Sequence, residues 1–376
     1  MLEPTYFLNF LKDNDLTFFA GVPDSLLKDF CACVDDELPK QNHIITANEG
    51  GAVAVASGYH LATNKIPVVY MQNSGLGNAI NPLVSLADPE VYSIPMLLVV
   101  GWRGEPGTTD EPQHIKQGPI TEPILSCLGI PTEVLPDEQG KANNAIKLAI
   151  DYVKKHNSPY CFLVQKGTFA KYGKKSISEE RDSKLTREQA LDVILDQLPK
   201  ETVYVGTTGK LSRELYELRK HRGELHNQDF LTVGSMGHAS QIALGIAEAK
   251  SSQLVCCLDG DGAALMHLGG MATIGDRSPK NLIHCVFNNG VHESVGGQKI
   301  TGKDIDFTSL VMALGYKIAL RASSKEELAL CLEKVSTIDR PALIEIVIKS
   351  GSREDLGRPT TTPVENKHLF QDYLNL

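Results

Sequence analysis

The chain has 376 residues, of which 42% are hydrophobic and 22% are charged, a balance typical of globular proteins. It carries 37 lysines and arginines against 46 aspartates and glutamates, so the formal net charge is −9. This acidic balance argues against broad binding to nucleic acid or to anionic membranes, although a few local cations can still hold an anionic ligand.

The eight cysteines and the N-terminal segment favour a cytoplasmic protein. No C-x-x-C pair occurs, and several cysteines lie in apolar runs such as LVCCL, so we expect reduced core residues rather than disulfides. The segment MLEPTYFLNFLKDND has no basic region before an apolar stretch and does not have the pattern of a signal peptide. No apolar run approaches the ~20 residues that span a bilayer.

Short apolar runs alternate with helical patterns along the chain and predict strands. In the first half these runs begin at Leu16, His43, Ile66, Ile94 and Tyr160, and in the second half at Thr202, Asp229, Leu254, Asn281 and Ala342. Most are continuously apolar, as in strands that are buried on both faces of a parallel sheet. The predicted fold class is therefore α/β, with two open parallel-sheet domains.

A polar segment without periodicity separates the two halves. We place the first domain at residues 1–167, a linker at 168–185 and the second domain at 186–376. Thr186 and Gln189 form a predicted capping box at the start of the next helix. Helices rich in small residues follow a strand in both halves, which fits either an ancient duplication or the ordinary packing of strand–helix units.

The most specific pattern is Gly260-Asp261-Gly262 followed by Asn288-Asn289, because each group ends an apolar strand. In open α/β sheets ligands bind beyond the carboxyl ends of the strands, so we expect Asp261 and Asn289 to share one crevice. Their carboxylate and amide oxygens suit Mg²⁺, and the flanking glycines let backbone amides approach a diphosphate. An isolated D-G turn without a ligand is the alternative.

This combination resembles the thiamine diphosphate (ThDP) decarboxylase family. The resemblance implies ThDP and Mg²⁺ as cofactors, a pyrimidine-binding first domain, a diphosphate-binding second domain, and no central domain. It makes Asp261, Asn289 and the Val291 carbonyl the metal ligands, and it places Met236 of the GSMG turn beneath a bent ThDP. The other cofactor-binding positions that it implies are Asn73, Gly75, Thr207, Thr208, Gly209, Ser235, Gly260, Gly262 and Ala263.

Glu49, in the segment ANEGGA, is the predicted catalytic glutamate. The resemblance implies that it hydrogen-bonds the aminopyrimidine N1′ of ThDP and so promotes removal of the thiazolium C2 proton. An acidic residue that only favours a helix N-terminus is the alternative. In this family the glutamate and the metal site come from different subunits, so the resemblance also implies a homodimer or larger assembly.

The short length and the segments GVPDSLL, WRGEPGTTDEPQHIKQG and GSREDLGRPTTTP resemble phosphonopyruvate decarboxylases, with sulfopyruvate decarboxylases as the nearest alternative. The expected substrate is a small anionic 2-oxo acid, whose charged ends need cations and oriented donors. The candidate substrate-binding residues are Asp24, Ser25, Arg103, His114, Arg353 and Arg358. Each arginine could instead be a solvated surface charge.

Loss of CO₂ must be followed by protonation of the carbon that carried it, which requires a general acid. The candidates are His114, His292 and Glu293, and Ser25 completes the predicted catalytic set with Glu49. A carboligase on the same fold remains an alternative. A nicotinamide oxidoreductase would need G-x-G-x-x-G after the first strand, and GVPDSLL lacks it. A non-catalytic partner protein would have no need of both Glu49 and Asp261.

Overall fold

The computed structural model describes residues 1–173 and 183–375, which form two compact α/β units. The first unit comprises the described part of Met1–Ser178 together with His292–Thr301, and the second comprises the described part of Glu179–Val291 with Gly302–Leu376. Residues 174–182 of the predicted linker lie outside the described residues, so the domain boundaries stay a prediction.

Within residues 1–173, the first unit contains six strands and six α-helices. The strands are β1 Phe19–Gly21, β2 His43–Ile45, β3 Val68–Gln72, β4 Leu97–Gly101, β5 Thr132–Val134 and β6 Tyr160–Val164. The helices are α1 Pro4–Asp13, α2 Lys28–Glu37, α3 Glu49–Thr63, α4 Leu76–Pro82, α5 His114–Cys127 and α6 Gln139–His156. The strands form one parallel sheet in the order β2-β1-β3-β4-β6-β5.

Both faces of this first sheet are buried. In β3, Val68 and Tyr70 pack into one hydrophobic cluster with residues of α1, α2 and α6. Val69 and Met71 alternate to the opposite face and pack into a second cluster with residues of α3 and α4. This two-sided burial explains why the central strands are continuously apolar, and it confirms the predicted sheet type.

The second unit is built in the same way. Strand β11 Val291–His292 spans the boundary between the units, and β12 Gln298–Lys299 belongs to the first unit. The other strands of the second unit are β7 Val203–Gly206, β8 Asp229–Leu231, β9 Val255–Gly260, β10 Leu282–Asn288, β13 Ile318–Ala322 and β14 Ala342–Val347. Its helices are α7 Arg187–Gln197, α8 Lys210–His221, α9 Ala239–Ala249, α10 Asp261–Met266, α11 Gly269–Arg277, α12 Phe307–Ala313, α13 Lys325–Thr337 and α14 Pro363–Leu374. The predicted capping box of Thr186 and Gln189 begins α7.

Six of these strands form a parallel sheet in the order β13-β14-β10-β9-β7-β8, and β11 pairs with β12. Read in the opposite direction, from β8 to β13, this order repeats the order of the first sheet. In each sheet the first strand in the chain, β1 or β7, lies between the second and the third. Such a point of reversal opens a crevice at the carboxyl ends of the strands. The crevice lies between β1 and β3 in the first unit and between β7 and β9 in the second.

Strands β5 and β13, at the sheet edges, were not predicted, and neither was the β11–β12 pair. Edge strands expose part of their side chains, and β5 and β13 are mostly half-buried. Their sequences therefore lack the continuous apolar run that marked the central strands. Within residues 1–173 and 183–375, none of the helices combines the length and apolar character needed to cross a membrane.

Candidate active site

Glu49 is the first residue of α3 and is only 5% exposed. The helix begins there because the Asn48 side chain caps it, accepting a hydrogen bond of 2.8 Å from the Gly51 backbone amide. The Asn78 side-chain amide donates to Glu49 Oε2 over 2.7 Å. The carboxylate is therefore held in a fixed orientation at the position that the sequence predicted for it.

Asn73 and Gly75 follow β3, and Gly75 lies beside this glutamate. A Cβ atom on Gly75 would overlap the carboxylate of Glu49, so only glycine lets the two residues approach this closely. The Asn73 side chain donates to the Arg103 carbonyl at 2.8 Å and to the Thr121 hydroxyl at 2.9 Å. Asn73 thus joins the loops that follow β3 and β4, and its predicted contact with the cofactor stays a prediction.

Asp24 and Ser25 follow β1, at the same carboxyl edge. Asp24 is fully buried and accepts hydrogen bonds from the Gln72 side chain and from the backbone amide of Leu26, the latter at 3.0 Å. Burial raises the pKa of Asp24, against the opposing effects of the Gln72 hydrogen bond and the Arg103 charge. The structure brings this carboxyl, Ser25 and Arg103 into one polar cluster.

Arg103 is held in place from two sides. Its Nε donates to Asp110 Oδ2 over 2.8 Å, a second N–H donates to Asp110 Oδ1, and NH1 donates to the Ser25 hydroxyl over 2.7 Å. Hydrogen bonding to Arg103 holds the pKa of Asp110 well below its usual range. A guanidinium fixed in this way can present its remaining N–H groups in one direction.

His114 begins α5 and is 4% exposed, and its Nδ1 has no hydrogen-bond partner among the described residues. Burial, aided by the positive charge of Arg103, lowers the pKa of His114 to about 4. The ring is therefore neutral at pH 7 and is poorly suited to act as an imidazolium acid in this state. The predicted role of His114 in substrate binding requires no positive charge.

In the second unit, Asp261 and Asn289 follow the neighbouring parallel strands β9 and β10. The Gly290 backbone amide donates to Asp261 Oδ2 over 2.7 Å, which places the carboxylate against the turn that carries Asn289. Asn289 Oδ1 accepts from the Val291 amide at 3.1 Å. The Asp261 carboxylate, with the Asn289 side-chain amide and the Val291 carbonyl of the adjoining turn, forms a hard-oxygen set that fits Mg²⁺.

The loop Thr207-Thr208-Gly209 follows β7, the strand beside β9. The Thr207 hydroxyl is buried without a partner in the described chain, whereas the Thr208 hydroxyl donates to the Val233 carbonyl at 2.8 Å. Gly209 has a φ of +103°, which favours glycine. A buried donor at the point of reversal of the sheet fits a diphosphate-binding loop.

The GSMG turn follows β8 and approaches α10. Ser235 has a φ of +53°, and a Cβ on Gly237 would lie 3.0 Å from the Ala263 carbonyl. The turn therefore packs closely on the helix that begins at Asp261. Met236 is half-buried at the tip of this turn, and Gly260, Gly262 and Ala263 belong to the adjoining strand end and helix.

The C-terminal arginines lie in a different environment. Arg353 Nε donates to Glu188 over 2.7 Å, NH1 lies 3.1 Å from Asp355, and NH2 pairs with Glu217. Three carboxylates thus compensate its charge within the second unit. Arg358 is exposed.

The predicted candidates His292 and Glu293 lie in a short hairpin, together with one residue that the sequence interpretation missed. His292 is half-buried, and its Nε2 has no hydrogen-bond partner among residues 1–173 and 183–375. Burial lowers the pKa of His292 to about 4. His292 lies on β11, which pairs with β12, and Glu293 begins the turn between the two strands. Strand β12 carries Gln298, a fully buried residue that was not predicted. The polar loop around Asp110 was a sequence feature that could have indicated the Arg103 cluster. No sequence feature indicated the burial of Gln298.

Glu49 lies in the first unit and the candidate metal ligands Asp261 and Asn289 lie in the second, and sequence comparison identifies both units. Residues 4–122 match the thiamine pyrophosphate enzyme N-terminal TPP binding domain, and residues 205–346 match the C-terminal TPP binding domain. A phosphonopyruvate decarboxylase of Streptomyces viridochromogenes is 35% identical over 96% of this chain and 91% of its own length. This chain belongs to the thiamine pyrophosphate enzyme family.

Two further relatives of this thiamine pyrophosphate enzyme support the resemblance. A phosphonopyruvate decarboxylase of Streptomyces hygroscopicus is 34% identical over 99% of this chain and 94% of its own length. A sulfopyruvate decarboxylase of Methanosarcina acetivorans is 27% identical over 98% of this chain and 97% of its own length. The predicted family, its ThDP cofactor and the absence of a central domain are confirmed.

Proposed function

We propose that this protein is a Mg²⁺- and ThDP-dependent decarboxylase that converts 3-phosphonopyruvate and a proton to phosphonoacetaldehyde and CO₂. The observation that carries the proposal is its 34–35% identity to two phosphonopyruvate decarboxylases over nearly the whole chain. The identity to the sulfopyruvate decarboxylase is lower, at 27%.

When bound, ThDP supplies a carbanion and an electron sink for decarboxylation. Glu49 is the residue that would share a proton with the aminopyrimidine, and its hydrogen bond from Asn78 and its contact with Gly75 support that role. Asp261 and Asn289, with the Val291 carbonyl, would hold Mg²⁺ and neutralise the diphosphate. Their positions after adjacent strands support this assignment.

The substrate is anionic at both ends, so its site needs a cation in a fixed orientation. Arg103 fits this requirement, because Asp110 and Ser25 fix its guanidinium at the edge where β1, β3 and β4 end. Arg353 fits less well, since three carboxylates already surround it. We therefore place the phosphonate end of the substrate near Arg103 and Ser25.

The complete site would form in a homodimer or larger assembly, with Glu49 from one subunit and the metal ligands from its partner. The location of these residues in two separate units is compatible with such sharing. A cytoplasmic location and the absence of nucleic-acid and membrane partners stay predictions from composition and charge.

The direct test is to incubate the purified protein with ThDP, Mg²⁺ and each of phosphonopyruvate, sulfopyruvate and pyruvate. We expect aldehyde and CO₂ in equal amounts, with the highest kcat/KM for phosphonopyruvate. A carbon–carbon bonded hydroxyketone would indicate a carboligase instead, and faster turnover of sulfopyruvate would reverse the substrate assignment.

A second measurement isolates the role of Glu49 from turnover. Glu49→Gln should still bind ThDP but should slow exchange of the cofactor's C2 proton with solvent, as followed by NMR, because a carboxamide cannot share the proton. Glu122→Gln, which changes an exposed glutamate, serves as the control. Equal exchange rates in the two variants would exclude the proposed role.

A further inference from the structure

Gln298 is a fully buried carboxamide whose two polar atoms have no hydrogen-bond partner in the described part of the chain. Its strand, β12, pairs with β11, and the Gly297 amide donates to the His292 carbonyl at 2.9 Å to close the turn. Gly296 and Gly297 have φ angles of +131° and +71°, a conformation that favours glycine. The hairpin therefore fixes where Gln298 lies.

Burial of this side chain without partners is unfavourable. An unsatisfied buried polar group destabilises a fold, and nearly all such groups in native proteins are hydrogen-bonded. A methionine would fill the same space without that penalty. The Nε2 atom of His292, across the hairpin, is likewise buried and unpartnered. Two such side chains on one hairpin make the hairpin a candidate binding site for a ligand.

The hairpin directly follows the proposed metal ligand Asn289 in the sequence. Strand β11 begins at Val291, two residues after Asn289, and both belong to the proposed metal-binding turn. Strand β12, which carries Gln298, pairs with β11. The ligand that satisfies Gln298 is therefore expected to be the substrate of the same site.

A carboxamide offers two N–H donors and one carbonyl acceptor, and here both kinds of atom need partners. A sulfonate carries only acceptor oxygens at neutral pH. A phosphonate, whose second ionisation lies near neutrality as that of a phosphate does, retains a P–OH that donates while its other oxygens accept. The phosphonate monoanion can therefore accept from the carboxamide N–H and donate to the carboxamide oxygen. The sulfonate can only accept from the N–H.

We propose that the Gln298 carboxamide binds the phosphonate end of the substrate, with Oε1 accepting from P–OH, and thereby selects phosphonate over sulfonate. This inference rests on the proposed function, because it names the group that distinguishes the two candidate substrates. His292 Nε2 provides an additional polar contact beside it.

The test uses the protein loaded with ThDP and Mg²⁺ and two unreactive probes, 3-phosphonopropionate and 3-sulfopropionate, measured by calorimetry. The unmodified protein should bind the phosphonate probe about tenfold or more tightly than the sulfonate probe. Gln298→Met should weaken phosphonate binding by roughly 10- to 100-fold and sulfonate binding by less, because it removes one more hydrogen bond from the phosphonate. Equal losses for both probes would overturn the proposal.

Gln228→Met is the matched control, because the Gln228 side chain already donates to the Lys200 carbonyl at 2.6 Å. It should leave the preference between the probes unchanged. If Gln298→Met does not fold, the pH dependence of the unmodified protein decides. Affinity for 3-phosphonopropionate should fall between pH 6 and 8 as P–OH ionises, relative to that for 3-sulfopropionate, and a flat or rising ratio overturns the proposal.

Turnover distinguishes this inference from the proposed function. A protein that prefers the phosphonate probe through Gln298 but does not decarboxylate phosphonopyruvate would refute the proposed function alone. A protein that decarboxylates phosphonopyruvate with no dependence of probe preference on Gln298 would refute the inference alone.

Discussion

The carboxylate of Glu49 lies so close to the Cα atom of Gly75 that a methyl group on that glycine would overlap it. Glu49 begins α3 and Gly75 immediately precedes α4, and Asn78 of α4 fixes the same carboxylate. The position of the predicted catalytic glutamate thus depends on the absence of a side chain at residue 75.

We expect Gly75→Ala to displace Glu49 and reduce kcat by tenfold or more, since small displacements of catalytic groups have large effects on rate. Gly77→Ala is the control, because a Cβ there meets no atom within 4 Å. Steady-state kinetics with the substrate, together with thermal melting of each variant, separates displacement from unfolding. Equal activity in the two variants would contradict the argument.

Thr207 and Thr202 permit a matched comparison, since both hydroxyls are buried without partners in the described chain and the residues flank the two ends of β7. Thr207→Val should weaken ThDP binding by about 3- to 10-fold, the effect of one lost hydrogen bond. Thr202→Val, at the amino end, should leave ThDP binding unchanged. Neither should reduce ligand-free stability, and ThDP titrations that weaken equally in both variants would remove Thr207 from the cofactor site.

Arg103 and Arg353 differ in their carboxylate partners, and this difference predicts different effects on substrate choice. Arg103→Ala should reduce kcat/KM for phosphonopyruvate by roughly 10- to 150-fold, the effect of losing a charged hydrogen bond, and should affect pyruvate less. Arg353→Ala should change the ratio of the two substrates little, because its guanidinium pairs with Glu188, Glu217 and Asp355. Kinetics on both substrates tests this, and the opposite pattern would move the anion site to the C-terminal segment.

His43 should make the first unit sensitive to acid. Burial lowers the pKa of His43 to about 4, against the opposing charge of Asp35 at 3.7 Å, and its Nε2 lies 2.8 Å from the Tyr70 hydroxyl. The unfolded chain takes up this proton near pH 6.5 and the folded chain does not. Stability associated with His43 is therefore complete above pH 6.5 and is lost as the pH falls towards 4.

At pH 5 this loss amounts to about 2 kcal/mol. Denaturant unfolding should show that His43→Gln loses less stability than the unmodified protein between pH 7 and pH 5. The exposed residue His368 provides the control variant His368→Gln. An identical pH dependence in all three proteins would show that His43 is protonated in the folded state.

The sequence was sufficient for the parts of the fold where one physical requirement dominates. Strands such as β9 and β10 are buried on both faces, so most of their residues are apolar, and Asp261 and Asn289 follow their ends. Strand β13 escaped prediction because an edge strand with half-exposed side chains has no such requirement.

Some residues of the candidate site could be predicted from the sequence, and others could not. Asp261 could be predicted because its motif directly follows a buried strand of the sheet. The pairing of Arg103 with Asp110 could not, because it depends on the path of a loop. Gln298 follows two glycines in a hairpin too short to show alternation, and its significance comes only from its burial. Burial and loop path are tertiary properties that no local pattern encodes.

The identical strand order of the two sheets bears on ancestry. A shorter ancestral polypeptide with one such sheet, paired with a copy of itself, would have presented two crevices of the same construction. Duplication and fusion of its gene would then have allowed one copy to acquire the glutamate and the other the metal ligands. On this view the division of labour between Glu49 and Asp261 arose by divergence of two equivalent halves.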